Sequence, residues 1–248
     1  SFNLWEKSYI KTVYRRILQK ADAVIAVSNF SKGEFLKFFP QMADKTTVIH
    51  CGVDAGFFSQ KMELVKIKEK YKLGNFFLFV GNFKKHKNIK NLTEAFKRLL
   101  VNFSDGVELI IIGSVKNLLH AEDRAILKQD KIRLLENISD AELPAFYQLA
   151  KAFVFPSFYE GFGSPPLEAM AAGCPVIASQ AASIPEVCKD AVYYINPYDV
   201  NQITEAMRNF LENEPLRQEY VRKGKNHIEN LTWEKSIAQH MQVIERLI

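Results

Sequence analysis

The middle of the chain alternates short apolar segments with segments of helical periodicity. The apolar segments are rich in Val, Ile, Leu and Phe, and they lie at residues 76–80, 107–112, 132–135, 152–155, 176–178 and 192–195. None of them has the polar face of a half-exposed strand. Strands without a polar face are typical of parallel sheets that helices cover on both sides. The alternation therefore predicts an α/β protein with a doubly wound parallel sheet.

Helical segments lie between these strands, at residues 89–101, 117–128, 141–150 and 165–172, with a short turn at 184–187. Beyond Asp199 the pattern is wholly helical. A chain of 248 residues, 48% of them hydrophobic, is long enough for one large domain and part of another. No apolar run reaches the roughly 18 residues of a membrane span, so we expect a globular protein.

The first 58 residues have an α/β pattern of their own. It consists of an amphipathic helix at 2–20, a strand at 23–27, a helix that runs to Phe39 with Ser28 as its predicted N-cap, and a strand at 47–50. We interpret 1–58 as the end of a second α/β domain, 59–230 as the main sheet domain, and 231–248 as a further helix. Half a domain exposes apolar surface, so we expect self-association or a partner that supplies the other half.

Charge and cysteine content bear on partners and compartment. The formal net charge of +5 weakly favours anionic partners, such as phosphates, anionic lipid or nucleic acid. Of these, we expect no nucleic-acid partner. The basic helix at 2–20 is typical of a solvated face, with contact to a membrane surface as the alternative. Cys51, Cys174 and Cys188 are far apart and form no Cys-x-x-Cys pair, which favours a reducing cytoplasm. We expect a cytoplasmic protein, or one bound peripherally at the inner face of the membrane.

Polar or glycine-rich loops follow four of the predicted strands. They are Gly81-Asn-Phe-Lys-Lys-His-Lys-Asn88, Gly113-Ser-Val-Lys116, Glu136-Asn-Ile-Ser-Asp140 and the segment from Pro156 to Ser164. The carboxyl ends of parallel strands meet at one edge of a sheet, and ligands bind in the crevice there. We therefore expect the four loops to form one binding site.

The fourth loop continues into a helix through Glu160-Gly-Phe-Gly-Ser-Pro-Pro-Leu-Glu168. Ser164 is predicted as the N-cap and Pro165 as the first helical residue. The amides left to bind an anion at the helix start are those of Gly161, Phe162, Gly163 and Ser164. Glu168, one turn inside the helix, suits two vicinal hydroxyls such as those of a ribose, because a carboxylate accepts two hydrogen bonds. The alternative is that Glu168 complements the helix dipole and Glu160 is a solvated loop acid.

Lys84, Lys85 and Lys87 crowd the loop after the first strand of the main sheet. Cations at this edge neutralise a diphosphate, and the sequence has no Asp-x-Asp pair or His/carboxylate cluster that would hold a divalent metal. We expect the lysines to replace a metal, with Lys87, which precedes Asn88 at a helix start, as the main contact. The alternative for each lysine is a solvated surface charge.

The Glu-x7-Glu motif formed by Glu160 and Glu168 resembles the signature of the retaining glycosyltransferases of family 4. Further similar segments are Ala21-Asp-Ala-Val-Ile-Ala-Val-Ser28, Gly52-Val-Asp54, the loop from Val80-Gly to Lys87-Asn, Ala172-Gly-Cys-Pro-Val176 with Ile184-Pro-Glu186, and Trp233-Glu-Lys-Ser. The resemblance covers nearly the whole chain. It implies the GT-B architecture, in which a carboxyl-terminal domain binds a nucleoside-diphosphate sugar and an amino-terminal domain binds the acceptor across a cleft. In that architecture, 1–58 would be the end of the acceptor-side Rossmann-like domain, 59–230 the nucleotide-sugar-binding Rossmann-like domain, and 231–248 a helix that packs back on the first domain.

The resemblance implies transfer of a hexose, mannose or rhamnose, from a nucleotide sugar to a glycan or lipid-linked acceptor with retention, without cofactor or metal. Glu160 and Lys87 would be catalytic, holding the sugar and the diphosphate. The donor-binding set would be Gly81, Asn82, Lys84, Lys85, Asn137, Ile138, Gly161, Phe162, Gly163, Ser164 and Glu168, with the backbone near Asn137 and Ile138 on the base and Glu168 on the ribose. Many family members carry Arg where this chain has Asn82, so we expect Lys84 or Lys85 to take over that phosphate contact.

Two other functions stay open at this point. A non-catalytic sugar-nucleotide-binding module or subunit is the first, because the family's acceptor-side glycine-rich loop and catalytic histidine have no counterpart in this sequence. A sugar-nucleotide 2-epimerase of the GT-B fold is the second. Product analysis that distinguishes transfer from epimerisation separates the two enzymes.

Overall fold

A computed structural model describes residues 13–58, 63–103, 106–114 and 129–248. All strand pairs within this part of the chain are parallel. The strands are β1 (Val24–Ala26), β2 (Thr46–Val48), β3 (Asn75–Val80), β4 (Val107–Ile112), β5 (Ile132–Leu135), β6 (Ala152–Phe155), β7 (Val176–Ser179) and β8 (Tyr193–Ile195). β1 and β2 form a two-stranded sheet, and β3 to β8 form a six-stranded sheet. The predicted α/β class with a parallel sheet is confirmed.

Helices follow the strands in the order that the sequence predicts. They are α1 (Asn29–Phe38), α2 (Ala55–Phe58), α3 (Leu64–Tyr71), α4 (Ile89–Leu100), α5 (Leu143–Leu149), α6 (Ser164–Ala171), α7 (Ile184–Cys188), α8 (Val200–Glu212), α9 (Glu214–Ile228) and α10 (Trp233–Glu245). Residues 13–20 are also helical, whereas the first part of the predicted helix 2–20 lies outside the described residues. The predicted helix 117–128 lies outside them as well.

The core of the main domain is formed by the apolar segments themselves. Phe76, Phe77, Leu78 and Phe79 on β3 are all fully buried. Because successive strand residues point to opposite faces, a strand buried at every position must be covered on both faces of the sheet. The buried positions of α4 follow helical spacing, since Leu92, Ala95, Phe96 and Leu99 form one stripe. These packed helices and strands hold the loops at the carboxyl edge in fixed positions.

The strand order of the large sheet, β5-β4-β3-β6-β7-β8, reverses direction between β3 and β6. β3 pairs with β4 over six residues, from Asn75 to Val80. It pairs with β6 only at Phe77 and Leu78. The two strands therefore lack ladder pairing near their carboxyl ends and leave room for a crevice there. In doubly wound sheets this reversal point is where ligands bind.

The start of α10 contacts the segment that follows β2. The backbone N–H of Val53 donates to the carbonyl of Leu231 at 2.8 Å. A Cβ on Gly52 would lie 2.3 Å from the backbone nitrogen of Trp233, so only glycine allows this close approach of the two backbones. The domain boundaries at residues 58 and 230 stay a prediction. None of the helices in the described ranges is long and apolar enough to cross a membrane.

Candidate active site

The loops after β3 and β6 carry a lysine and a glutamate that face each other. The Lys87 Nζ lies 2.8 Å from the Glu160 Oε1, and the two side chains are 13% and 12% exposed. The same ammonium lies 5.0 Å from the centre of the Phe155 ring. This ion pair links the two loops on either side of the point where the strand order reverses. The structure thus brings together the two residues that the sequence predicts as catalytic.

The loop after β3 is fixed by backbone packing and by Asn88. A Cβ on Gly113 would lie 2.0 Å from the Gly81 carbonyl oxygen, so the loops after β3 and β4 touch through their backbones. Asn88 is buried, has a left-handed backbone (φ 57°), and its amide donates to the carbonyls of Pro156 at 3.0 Å and Pro197 at 2.7 Å. Asparagine tolerates this conformation better than most residues. Asn88 directly follows Lys87, so its bond to Pro156 anchors the backbone beside Lys87 to the loop after β6.

A second backbone contact lies on the other side of Lys87. The carbonyl of His86 accepts a hydrogen bond from the N–H of Phe158 at 2.8 Å. Burial lowers the pKa of His86, with the nearby Glu160 charge acting in the opposite direction. Both neighbours of Lys87 are thus tied to the loop that carries Glu160. From the sequence alone, Asn88 is recognised only as a residue at a helix start, because neither its burial nor its partners can be read from its neighbours.

The helix after β6 begins one residue earlier than expected. The prediction that Ser164 is the N-cap is wrong, because Gly163 takes that position with φ 96° and Ser164 is the first residue of α6. A Cβ on Gly163 would lie 2.5 Å from the Cδ1 of Ile184, so both the backbone and the available space require glycine. Within the described ranges, no group accepts a hydrogen bond from the backbone N–H of Gly161, Phe162, Gly163 or Ser164.

Serine hydroxyls hold the carbonyl groups of this loop. Ser183 lies 2.9 Å from the Glu160 carbonyl and 3.0 Å from the Phe162 carbonyl. Ser28 and Ser31 each donate to the Gly161 carbonyl at 2.7 Å. The predicted capping role of Ser28 is also confirmed, since its hydroxyl accepts from the Ser31 N–H at 2.9 Å. The contacts of these three serines to the loop could not be read from the sequence.

Glu168 lies on α6 beneath the loop and is paired with a tyrosine. The hydroxyl of Tyr147, a fully buried residue of α5, donates to the Glu168 Oε2 at 3.1 Å. Burial raises the pKa of Glu168 and outweighs the opposing effect of the Tyr147 hydrogen bond. Burial, with a contribution from the Glu168 charge, also raises the pKa of Tyr147 well above its usual range. Among the described groups, none donates to the Glu168 Oε1, so one oxygen is free to accept from a ligand.

Tyr147 was missed by sequence reasoning although a signal for it exists. The residue lies in the apolar helix Leu143–Leu149, and its ring packs edge-on against Phe153 and Phe58. A tyrosine in a buried helix usually finds a partner for its hydroxyl. That rule predicts a partner, but only the packing of α5 beside α6 identifies it as Glu168.

The remaining predicted site residues lie at the same edge. Asn82, Lys84 and Lys85 are exposed on the loop after β3. Asn137 is exposed on the loop after β5, with φ 58°, and the neighbouring Ile138 packs partly against the core. No group of three or more His, Cys, Asp or Glu side chains that could hold a metal ion occurs among the described residues. The roles of these residues stay predictions.

Glu186, on α7, connects the large sheet to the first 58 residues. Its carboxylate accepts from the backbone N–H of Asn29 at 2.7 Å and of Phe30 at 3.0 Å, and its Oε1 lies 3.0 Å from the Nε2 of His50. Burial acts to raise the pKa of Glu186, but these hydrogen bonds together lower it. The start of α1 is therefore capped by an acid from the main domain. The sequence identified Ile184-Pro-Glu186 as a motif without assigning this contact.

Comparison with family models assigns both parts of the chain. Residues 60–227 match the model described as Glycosyl transferases group 1, and residues 1–57 match the model described as Glycosyltransferase Family 4. The resemblance noted from the Glu-x7-Glu motif is therefore confirmed.

Curated relatives include O-antigen chain mannosyltransferase B of Escherichia coli, which is 30% identical over 246 residues that cover 96% of this chain and 64% of the relative. O-antigen chain mannosyltransferase RfbU of Salmonella typhimurium is 34% identical over 210 residues that cover 82% of this chain and 56% of the relative. The chain thus spans 64% and 56% of the lengths of these two relatives.

A solved structure, that of Anabaena Alr3699/HepE in complex with UDP-glucose, superposes with a TM-score of 0.75 and 18% sequence identity. The superposition covers 92% of this chain and 64% of that chain. At this identity the similarity shows a shared fold.

Proposed function

Because the chain belongs to the glycosyl transferases group 1 family, we propose that it acts in transfer of a hexose, most simply mannose, from a nucleoside-diphosphate sugar to a glycan or lipid-linked acceptor. Transfer would retain the anomeric configuration. The names of the two curated relatives, both mannosyltransferases, support the sugar. The observation that carries the proposal is the Lys87–Glu160 ion pair in the crevice between β3 and β6, beside backbone amides that have no partner among the described groups.

The diphosphate of the donor would lie between Lys87 and the start of α6. An ammonium group has three donors, so Lys87 can keep one contact to Glu160 and still donate to a phosphate oxygen. The N–H groups of Gly161, Phe162 and Gly163 add donors at the positive end of a helix. Lys84 and Lys85, which are exposed on the same loop, add positive charge where Asn82 offers none.

The sugar and the nucleoside would be held by the two acids and by the loop after β5. The Oε1 of Glu160 accepts a hydrogen bond from Lys87, so its Oε2 would accept from a hydroxyl of the sugar. The Oε2 of Glu168 accepts a hydrogen bond from the Tyr147 hydroxyl, so its Oε1 would accept from a hydroxyl of the ribose. The backbone near Asn137 and Ile138 would contact the base.

The chemical step would depend on stabilising the departing nucleoside diphosphate. Negative charge grows on its terminal phosphate as the bond to the sugar breaks. Lys87 and the loop amides are preorganised donors for that charge in a partly desolvated crevice, which is an effective form of electrostatic catalysis. The acceptor hydroxyl would attack on the face that the diphosphate leaves, and its proton would pass to an oxygen of the departing diphosphate. In this proposal no metal ion is needed, because the cations and amides carry out its electrostatic role.

A second candidate is a non-catalytic sugar-nucleotide-binding subunit. The Lys87–Glu160 pair and the loop amides would serve donor binding, and donor binding is all that such a subunit requires. Transfer also requires two reactants to be oriented together. Both candidates share the donor site, so they differ in turnover and not in nucleotide binding.

Thermal-shift measurements with GDP, UDP, ADP and dTDP, each with and without EDTA, test the shared site. At a ligand concentration 100 times Kd, binding stabilises by about 2.7 kcal/mol, which raises Tm by about 5–10 °C for a chain of this size. We expect at least one diphosphate to give this shift and EDTA to leave it unchanged. A Tm that responds to none of the four contradicts the proposal.

Product analysis then separates the candidates. The sugar nucleotide whose diphosphate binds is incubated with glycan and lipid-linked acceptors, and the anomeric configuration of the product is read by NMR. A product of retained configuration supports the transferase. Tight donor binding without any transfer supports the non-catalytic subunit.

A further inference from the structure

Three serine side chains hold three consecutive carbonyl groups of the loop that carries Glu160. Ser183, which is fully buried, shares its one hydroxyl proton between the carbonyls of Glu160 and Phe162, at 2.9 and 3.0 Å. Ser28 and Ser31 both donate to the carbonyl between them, that of Gly161, at 2.7 Å each. A carbonyl oxygen has two lone pairs, so it accepts both bonds.

The direction of a carbonyl group sets the direction of the next amide. A trans peptide unit is planar, and its C=O and N–H point to opposite sides. Fixing the carbonyls of residues 160, 161 and 162 therefore fixes the N–H groups of Gly161, Phe162 and Gly163 on the sides away from the serines. Without such contacts, the glycines on either side of Phe162 would let these peptide planes rotate.

Two of the three serines come from a distant part of the sequence. Ser28 caps α1 and Ser31 lies on its first turn, whereas the loop follows β6 in the main domain. Tyr159, on the same loop, also contacts α1. The centre of its ring lies 5.2 Å from that of the Phe30 ring, and its hydroxyl donates to Glu34 at 3.3 Å. A Cβ on Gly161 would lie 3.3 Å from the Ser31 Oγ, a tight contact that a side chain at this position could relieve only by a shift of a few tenths of an ångström.

We infer that Ser28, Ser31 and Ser183 are positioning residues that orient the amides of Gly161, Phe162 and Gly163 to receive the diphosphate of the donor. This inference rests on the proposed function, because it names the same site and ligand. The amides are fully oriented only when α1 lies against the loop. The first 58 residues thus contribute to donor binding although they are distant from it in sequence.

Ser31 is the best position for a test, because Ser28 also caps α1 and its loss would weaken that helix. Ser31→Ala removes one of the two hydroxyls on Gly161, and Ser31→Thr restores a hydroxyl. Titration calorimetry with GDP, UDP, ADP and dTDP, and with their four nucleosides, measures the effect. We expect Ser31→Ala to bind the diphosphate about fivefold more weakly, as for one neutral hydrogen bond. The nucleoside should bind as in the parent, and Ser31→Thr should recover the lost affinity.

A second measurement does not depend on any nucleotide. The ¹H–¹⁵N resonances of Gly161, Phe162 and Gly163 should shift in Ser31→Ala and in Ser183→Ala, and should stay near the parent positions in Ser31→Thr. Unchanged resonances in both alanine variants overturn the inference, as does unchanged diphosphate affinity in Ser31→Ala. If the resonances shift as expected but the parent binds no diphosphate, the proposed function and the ligand named here are overturned, while the orientation of the loop by the serines stands.

Discussion

Removing one charge of the Lys87–Glu160 pair should destabilise the protein far more than removing a surface charge. Lys87→Met leaves the Glu160 carboxylate, only 12% exposed, without the ammonium that lies 2.8 Å away. Loss of one partner of a buried pair costs about 3–5 kcal/mol, because the remaining charge is desolvated and unpaired. Since both side chains keep some contact with water, we expect the low end, about 3 kcal/mol, for Lys87→Met and for Glu160→Gln.

The double variant Lys87→Met/Glu160→Gln should cost no more than either single variant, at most about 3 kcal/mol, because no unpaired charge is left. Two independent losses would total roughly 6 kcal/mol, so the coupling energy should be at least about 3 kcal/mol, the upper end for residues in direct contact. Urea unfolding followed by circular dichroism measures all four proteins, and similar slopes against urea confirm that the unfolded states are comparable. Lys90→Met is the matched control, because this exposed lysine lies on the same segment. It should change stability by less than about 0.5 kcal/mol.

Two results would refute this reasoning. Additive losses in the double variant would show that the two charges do not depend on each other. Losses below about 1 kcal/mol in both single variants would show that the pair behaves like an exposed salt bridge.

Three further predictions concern the acids and the glycine contact. Glu168→Gln should weaken the binding of every ribonucleotide by a similar factor, whereas Glu160→Gln should weaken the binding of the sugar nucleotide far more than that of the bare diphosphate. Identical titration profiles for the two variants would contradict this division of roles. Burial raises the pKa of Glu168 above its ordinary value of 4.5, so the folded protein binds this proton more tightly than the unfolded chain does. The protonated carboxyl therefore contributes stability that is fully present below about pH 4.5 and is lost as the pH rises through the folded-state pKa. The free energy of unfolding of the parent relative to Glu168→Gln should therefore fall between pH 4 and pH 8, and a constant difference contradicts the assignment. Gly113→Ala places a Cβ 2.0 Å from the Gly81 carbonyl oxygen and should destabilise the protein by about 1–3 kcal/mol. The control Gly74→Ala, whose Cβ would have nothing within 4 Å, should be nearly neutral. Equal Tm values for the two variants would count against the contact.

The sheet and the nearness of the loops that carry Lys87 and Glu160 could be predicted from the sequence because both follow from rules that act along the chain. Runs such as Phe76 to Phe79 have no polar face, and this alone indicates a strand buried on both sides. The carboxyl ends of such strands share an edge, so the loops that follow them must be neighbours. No knowledge of side-chain packing was needed.

The contacts that orient the site depend on packing between distant segments and could not be predicted in this way. Ser31 and Gly161 are separated by 130 positions, and a hydroxyl donor has no sequence signature that identifies its acceptor. Tyr147 needs a partner, but the angle between two helices decides which one it finds.

The N-cap of α6 shows tertiary structure overriding local preference. Serine is the better cap by propensity, yet the cap falls on Gly163, where φ is positive and Ile184 leaves no room for a side chain.

The central claim, that Lys87 binds the diphosphate of a nucleotide sugar without a metal ion, is tested most directly by calorimetric titration of three proteins in EDTA. These are the parent, Lys87→Ala and Lys90→Ala, each titrated with whichever of GDP, UDP, ADP and dTDP gives the largest thermal shift and with its nucleoside. A charge-assisted contact contributes about 1.5–3 kcal/mol, so Lys87→Ala should bind the diphosphate about 10- to 150-fold more weakly. Lys90→Ala should match the parent, and the nucleoside should bind all three alike. Equal diphosphate affinity in Lys87→Ala and the parent, or loss of parent binding in EDTA, would contradict the claim.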